Sequence, residues 1–268
     1  MSGQIYDDLD HFYREIWGTS LHHGYWKSGK ETASEARENL IAKILKHWQP
    51  SGHLIDIGCG YGVLAQRLIT DFSCSVSACT SSEVQAKAIT PSEHLNLLTG
   101  DWLTQKIPNQ SLDGAIALES ASHFSSFEAF LKKTHAVLKT GSRLVISDWF
   151  SNHGNHLLPR HLAKVGSLPP WRSLDSFLTE ARKQGFTIIV STDLSPAVAR
   201  TWSFLFWKSL LLPLYKPSLI PQLITHIIRR PALLWSFPLL RLAYHKKKLS
   251  YHLLILTAGN SLSTGSSH

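Results

Sequence analysis

The 268-residue chain, 43% hydrophobic and 17% charged, has the composition of an ordinary globular protein slightly poor in charge, long enough for one large domain or two small ones. Residues 1–16 carry Asp7, Asp8, Asp10, Arg14 and Glu15, which excludes an apolar signal-peptide core there; with three cysteines (Cys59, Cys74, Cys79) this predicts a reducing, cytoplasmic setting. All 19 acidic residues lie at or before Asp193, whereas nine of the 27 Lys and Arg follow it, so the net charge of +8 belongs to the last quarter of a nearly neutral body.

Residues 1–50 read as mainly helical. A β-branched apolar run at 53–58 ("HLIDIG") predicts a buried strand, followed by a helix over 61–72 with Val63, Leu64, Leu68 and Phe72 on one face. Strand 74–79 and a helix over 82–90, with Ser82 as its N-cap, come next. Strands are predicted at 95–101 and 112–120, and a helix over 125–141 closed by Gly141. A strand at 142–150, a helix at 173–185 and strands at 186–194 and 251–259 complete the series. Strand and helix alternating in this way predict a parallel, doubly wound α/β sheet. Residues 195–249 interrupt the rhythm; they are apolar, basic and punctuated by Pro213, Pro217, Pro221, Pro231 and Pro238. Lys208, Lys216, Arg229 and Arg241 break the uncharged stretches below the length of a membrane span, so a helical cap is expected instead. Residues 260–268 read as a flexible tail.

The chemistry begins at "LIDIGCGYG" (54–62). Three glycines after a buried strand permit a sharp turn and close approach of a ligand to the backbone. In an open parallel sheet such a turn lies where ligands bind. The spacing is G-x-G-x-G after an acid, whereas a dinucleotide loop reads G-x-G-x-x-G; a turn that needs glycine only for packing would look alike.

Four segments in order narrow the choice. "IDIGCGYG" resembles the first motif of class I S-adenosylmethionine-dependent methyltransferases, "TSSEVQ" (80–85) the segment after their second strand, "GDW" (100–102) the Gly-Asp after the third, and "LDGAIALESASHF" (112–124) the stretch through the fourth. "YDDLDHFYREIWGTSLHHGYW" (6–26) is similar to the opening of the tocopherol and sterol C-methyltransferase-like small-molecule group. The resemblance implies a Rossmann-like, doubly wound seven-stranded sheet with the last strand antiparallel. It further implies one methyltransferase domain over 1–260: an N-terminal helical lid (1–50), a cofactor-binding core (51–194), a substrate cap (195–249) and the last strand (250–259). S-adenosyl-L-methionine is the implied cofactor. Its implied contacts are Tyr6, Trp17, Tyr25, Trp26, Asp56, Gly58, Cys59, Gly60, Gly62, Thr80, Ser81, Gln85, Asp101, Trp102 and Glu119. Aromatic faces in the lid would suit a sulfonium. Where many class I enzymes hold the ribose with an acid after the second strand, this chain has Cys79, Thr80 and Ser81.

Methyl transfer needs in-line alignment and exclusion of water more than acid–base machinery, and a base only when the acceptor must lose a proton. Glu119 and His123 are the catalytic candidates, and His123, His22, His23, Trp202 and Phe206 the acceptor-binding ones. The adjacent His22 and His23 and the cysteine spacing do not fit a zinc site, and Cys59 has no base beside it to make it a nucleophile. The aromatic cap predicts a small lipophilic acceptor of prenyl, quinol or phenol, sterol or polyketide type. Its basic charge admits peripheral contact with an anionic membrane, methylation of a soluble anionic compound such as a diphosphate, or methylation of RNA. The abundance of Leu and Ile argues against a nucleic-acid groove.

Overall fold

The computed structural model describes residues 14–15, 17–152, 157–165, 169–221, 224 and 232–260. Its centre is a seven-stranded sheet in the order β3-β2-β1-β4-β5-β7-β6. Strands β1 (His53–Ile57), β2 (Ser75–Thr80), β3 (Leu95–Thr99), β4 (Leu112–Leu118) and β5 (Leu138–Ser151) pair in parallel. β7 (Leu249–Ala258) runs antiparallel between β5 and β6 (Phe186–Asp193). The strand order reverses at β1, which has β2 on one side and β4 on the other, and this opens a crevice at the carboxyl ends of these strands.

Period-two alternation splits the core between the two faces of the sheet. Leu54, Val76, Ile116, Val145 and Ile255 pack on the side of α1 (Ala33–Trp48) and α2 (Val63–Phe72). Ile55, Ile57, Leu144, Ile146 and Leu254 pack on the side of α4 (Phe127–Val137) and α6 (Leu174–Lys183). The short α3 (Glu83–Lys87) leaves β2, and α5 (Leu157–Val165), between α4 and α6 in the chain, follows β5 and packs on the last helix of the cap. The cap between β6 and β7 consists of α7 (Ser195–Val198), α8 (Arg200–Tyr215) and α9 (Ala232–His245) in its described parts.

Three expectations are corrected. The helix predicted over 125–141 ends at Val137, because Leu138 already pairs with Leu112; pairing resumes at Arg143 opposite Gly114, and Gly141, at φ +85°, turns the bulge between them rather than closing a helix. α2 buries Leu64, Ala65 and Leu68, while Phe72 at its last position reaches solvent. The N-terminal region is helical only in part. Residues 18–32 form an irregular strap held to α1 by the Tyr25 N–H donating to the Ala36 carbonyl at 2.7 Å. The strap is held to the cap by the Trp26 N–H donating to the Ala197 carbonyl at 3.1 Å. α1 itself starts with a capping box between Thr32 and Glu35.

Candidate active site

At the carboxyl ends of β1, β2 and β4 lies a cavity of about 200 Å³. Its floor is the glycine turn. The Gly58 and Cys59 N–H groups both donate to the Cys79 carbonyl, at 2.8 and 2.9 Å, which binds the turn to the end of β2. Gly58 has φ +78°, and a Cβ there would lie 2.4 Å from the Cβ of Ser120, whose hydroxyl donates to the Ile57 carbonyl. Gly60, at φ +57°, is the opposite case: a Cβ would meet nothing within 4 Å, because that space belongs to the cavity. Gly62 caps α2 without a side chain.

One wall is polar. Thr80 donates to Gln85 Oε1 at 2.9 Å, and Ser82, the N-cap of α3, accepts from the Gln85 N–H at 3.1 Å, so the turn after β2 holds Thr80, Ser81 and Gln85 at the cavity. Asp101 and Trp102 follow β3. The Asp101 carboxylate accepts the Leu103 N–H at 2.9 Å on one oxygen and lines the cavity. Trp102 lines it too, and its buried indole Nε1 has no hydrogen-bond partner among the described residues.

The opposite wall holds Glu119, His123, Leu21, Leu118 and Phe124. Glu119 follows β4 with φ +54°, a strained conformation for a residue with a side chain. Its Oε1 accepts the His23 N–H at 2.7 Å and the Tyr251 hydroxyl at 2.8 Å and lies 2.9 Å from His23 Nδ1. Burial opposes ionisation of Glu119, but the contacts with His23 outweigh it and hold the carboxyl below its ordinary pKa. The side chain keeps 10% exposure, and Glu119 is therefore a buried anion facing the cavity. His123 is half-buried, and desolvation, partly offset by Glu119, pushes its pKa down to about 4, so its imidazole is neutral at pH 7.

Other expected contacts lie elsewhere. Asp56 is beneath the turn, not on the cavity: it is buried on the α1 and α2 side, accepts the Ala65 N–H in the first turn of α2, and leaves Oδ2 unpaired among the described residues. Cys59 and Gly62 are buried in the turn, and burial raises the Cys59 thiol, keeping it protonated. Trp17 sits edge-on to Trp202 at 5.8 Å and Phe237 at 6.5 Å. Trp26 donates through Nε1 to Thr201 at 3.0 Å and packs on Phe204. Both rings thus turn to the cap, Tyr25 packs half-buried against the same core, and Leu21 is the strap residue that reaches the cavity. His23 is fully buried between Trp149, Trp202 and Tyr251, and the His22 Nδ1–H donates to the His23 carbonyl at 2.8 Å, so neither imidazole walls the cavity. Trp202 stacks on Trp149 at 5.6 Å inside the core, and Phe206 packs half-buried against Trp207. The reason is common to these residues: the strap fills the seam between sheet and cap, and that seam consumes their rings. Tyr6 lies outside the described residues.

The sequence reading missed Tyr251, Ser147 and Asp148. Ser147 donates to the Tyr251 hydroxyl at 3.1 Å, and that hydroxyl bonds Glu119. Asp148 accepts the Ser122 and Trp149 N–H groups at 2.9 and 2.8 Å. An acid at the carboxyl end of a buried strand was the available signal for Asp148; Tyr251 had none.

Burial pushes Asp56 and Asp148 up to about 7. Their folded pKa values lie above the unfolded ones, so between roughly pH 4 and 7 the folded state binds more protons and stability falls as pH rises. Asp56→Asn, which removes one of the two groups, is therefore expected to shift the slope of melting temperature against pH between pH 5 and 8 upward relative to the parent chain, while His123, held low, contributes in the opposite sense to the carboxyls in both proteins. An unchanged slope in Asp56→Asn would contradict the assignment.

Comparisons with known proteins identify the family and the fold. A family model described as "Methyltransferase domain" matches residues 29–199. The chain is 30% identical over 205 residues to the O-methyltransferase cnsE of Penicillium expansum, covering 72% of this chain and 74% of that one. It is 26% identical over 242 residues to a probable tocopherol O-methyltransferase, chloroplastic, of Oryza sativa, covering 77% and 66%. The structure of mycolic acid cyclopropane synthase CmaA1, complexed with SAH and CTAB, superposes with a TM-score of 0.80 at 20% identity over 96% of this chain and 97% of that chain. The cavity suits a cationic cofactor that also carries hydrogen-bond acceptors: it has open space over Gly60, an indole N–H at Trp102 without a partner among the described residues and a buried anion at Glu119. The chain belongs to the methyltransferase-domain family and is a class I S-adenosylmethionine-dependent methyltransferase.

Proposed function

We propose that this methyltransferase acts on a hydroxyl or carbon of a small lipophilic acceptor. The observation that carries the reading is that the apolar Leu21, Leu118 and Phe124 line the same cavity as the neutral His123. The cofactor supplies an electrophilic methyl group on a sulfonium. The glycine turn at Gly58 and Gly60 would hold its methionine part. Thr80, Ser81 and Gln85 would take the ribose side, and Asp101 and Trp102 the adenine. Glu119 would face its positive charge, which favours an ionised carboxylate there. His123 would accept a hydrogen bond from the acceptor and so fix the nucleophile in line, and for a hydroxyl acceptor it can receive the proton. The relatives, which include O-methyltransferases and a probable tocopherol O-methyltransferase, support an acceptor of this class.

His123→Ala is expected to lower turnover on a phenolic or prenyl alcohol acceptor by about a hundredfold, within the range for loss of one acid–base group, while cofactor affinity in calorimetry changes less than about threefold. A comparable loss of cofactor affinity would move His123 to the cofactor's shell. Methyl transfer to polar acceptors only would overturn the lipophilic reading.

A further inference from the structure

Helix α8 is apolar nearly all the way round, and only one side of it is covered. Trp202, Leu205 and Leu212 are buried against the core, whereas Trp207 and Leu214, seven positions apart on one stripe with Leu210, are 58% and 76% exposed. α9, packed beside it, repeats the pattern. Phe237, Leu240, Ala243 and Tyr244 point inward, and Trp235 and Leu242 are exposed, Trp235 at 68%. The two outer faces adjoin, because Arg241 of α9 borders the same hollow of about 960 Å³ as Trp207, Leu211 and Tyr215 of α8. Large apolar side chains grouped on a surface mark a contact site, but they do not say what covers it.

The charge around them does. The rim of the hollow carries Arg200, Lys208, Lys216 and Arg241 against Glu15 and Glu31, and Glu15 is already tied to Lys216 at 2.5 Å. No acid occurs in the sequence after Asp193, so no further carboxylate of the cap can neutralise this rim. A layer of positive charge around exposed Trp and Leu complements a layer of negative head groups over acyl chains, with Trp placed at the boundary. No helix among the described residues is long and apolar enough to cross a membrane, so the contact is peripheral, with α8 and α9 lying on the surface. We propose that the outer face of α8 and α9 docks on an anionic phospholipid membrane. This rests on the surface alone and is independent of the acceptor reading.

The test is co-sedimentation of the full chain with vesicles of phosphatidylcholine alone or of phosphatidylcholine with one-third phosphatidylglycerol. At low salt the anionic vesicles should bind at least about tenfold tighter. That preference should collapse at high salt, where the screening length shrinks from about 10 Å to about 3 Å. Trp207→Ser combined with Leu214→Ser leaves the core untouched and should weaken anionic binding about tenfold or more. Lys208→Glu combined with Arg241→Glu should abolish the preference for anionic vesicles. Equal binding to both vesicle types at low salt would overturn the proposal, as would full anionic binding by the Trp207→Ser, Leu214→Ser variant with native circular dichroism. A dimer in light scattering that this double variant dissolves would assign the face to a second copy of the chain and overturn it as well.

Discussion

Replacing Gly58 with valine is expected to lower affinity for S-adenosylmethionine more than about a hundredfold and to destabilise the fold. Two costs coincide at this position. The backbone is at φ +78°, where a β-branched residue is strained by about 1–2 kcal/mol. The added Cβ would also lie 2.4 Å from the Cβ of Ser120, which must then retreat from the Ile57 carbonyl and carry the end of β4 with it. Because Glu119 is the residue before Ser120, the wall of the cavity that carries Glu119 would shift with it. Gly60→Ala separates binding from folding. Its Cβ meets no protein atom, so the variant should fold with a loss of about 1 kcal/mol from its positive φ, yet fill space over the turn and bind cofactor more weakly. Isothermal calorimetry alongside thermal unfolding reads both effects. A Gly58→Val chain that binds with unchanged affinity would show that the turn does not hold the cofactor.

His23→Ala is expected to be the most destabilising single change near the site, by about 3–5 kcal/mol, because it removes a fully buried ring and leaves the Glu119 carboxylate buried without the imidazole nitrogen that lies 2.9 Å from it. His23 is wholly enclosed, and Trp202 and Tyr251 lie at 4.9 Å from its ring, so a hole opens at the same point. The hydrogen bond from the His23 N–H survives the substitution and cannot by itself offset the burial of Glu119. Introducing Glu119→Gln into the His23→Ala chain should therefore recover part of the lost stability while turnover stays low. Denaturant unfolding of the four proteins of the double-mutant cycle gives the coupling directly. Strictly additive effects would mean that His23 and Glu119 do not stabilise one another across the seam.

What could be read from residue order was what local periodicity and loop chemistry encode. Buried β-branched runs alternating with amphipathic helices set the doubly wound sheet, and all seven strands lie within a few residues of their expected positions. The convergence of the polar residues on one cavity was legible for the same reason. In parallel strands the carboxyl ends share one edge, so Thr80, Asp101 and Glu119, each at or just after the end of its strand, had to converge once the alternation was recognised. Only the tertiary structure decided which way the aromatic residues of strap and cap would face. Trp17, Trp26 and Trp202 read equally well as cofactor lid, acceptor wall or core, because periodicity reports that a ring is covered and not by what. They became core when the strap lay down between α1 and the cap. The support of Glu119 was beyond local reading as well. His23 precedes it by 96 residues and Tyr251 follows it by 132, and the three meet only because β7 enters antiparallel beside β5, placing Tyr251 next to Ser147 of β5, which pairs with Leu118, the last residue of β4. Contacts of that range are made by topology, and the sequence around each residue carries no trace of them.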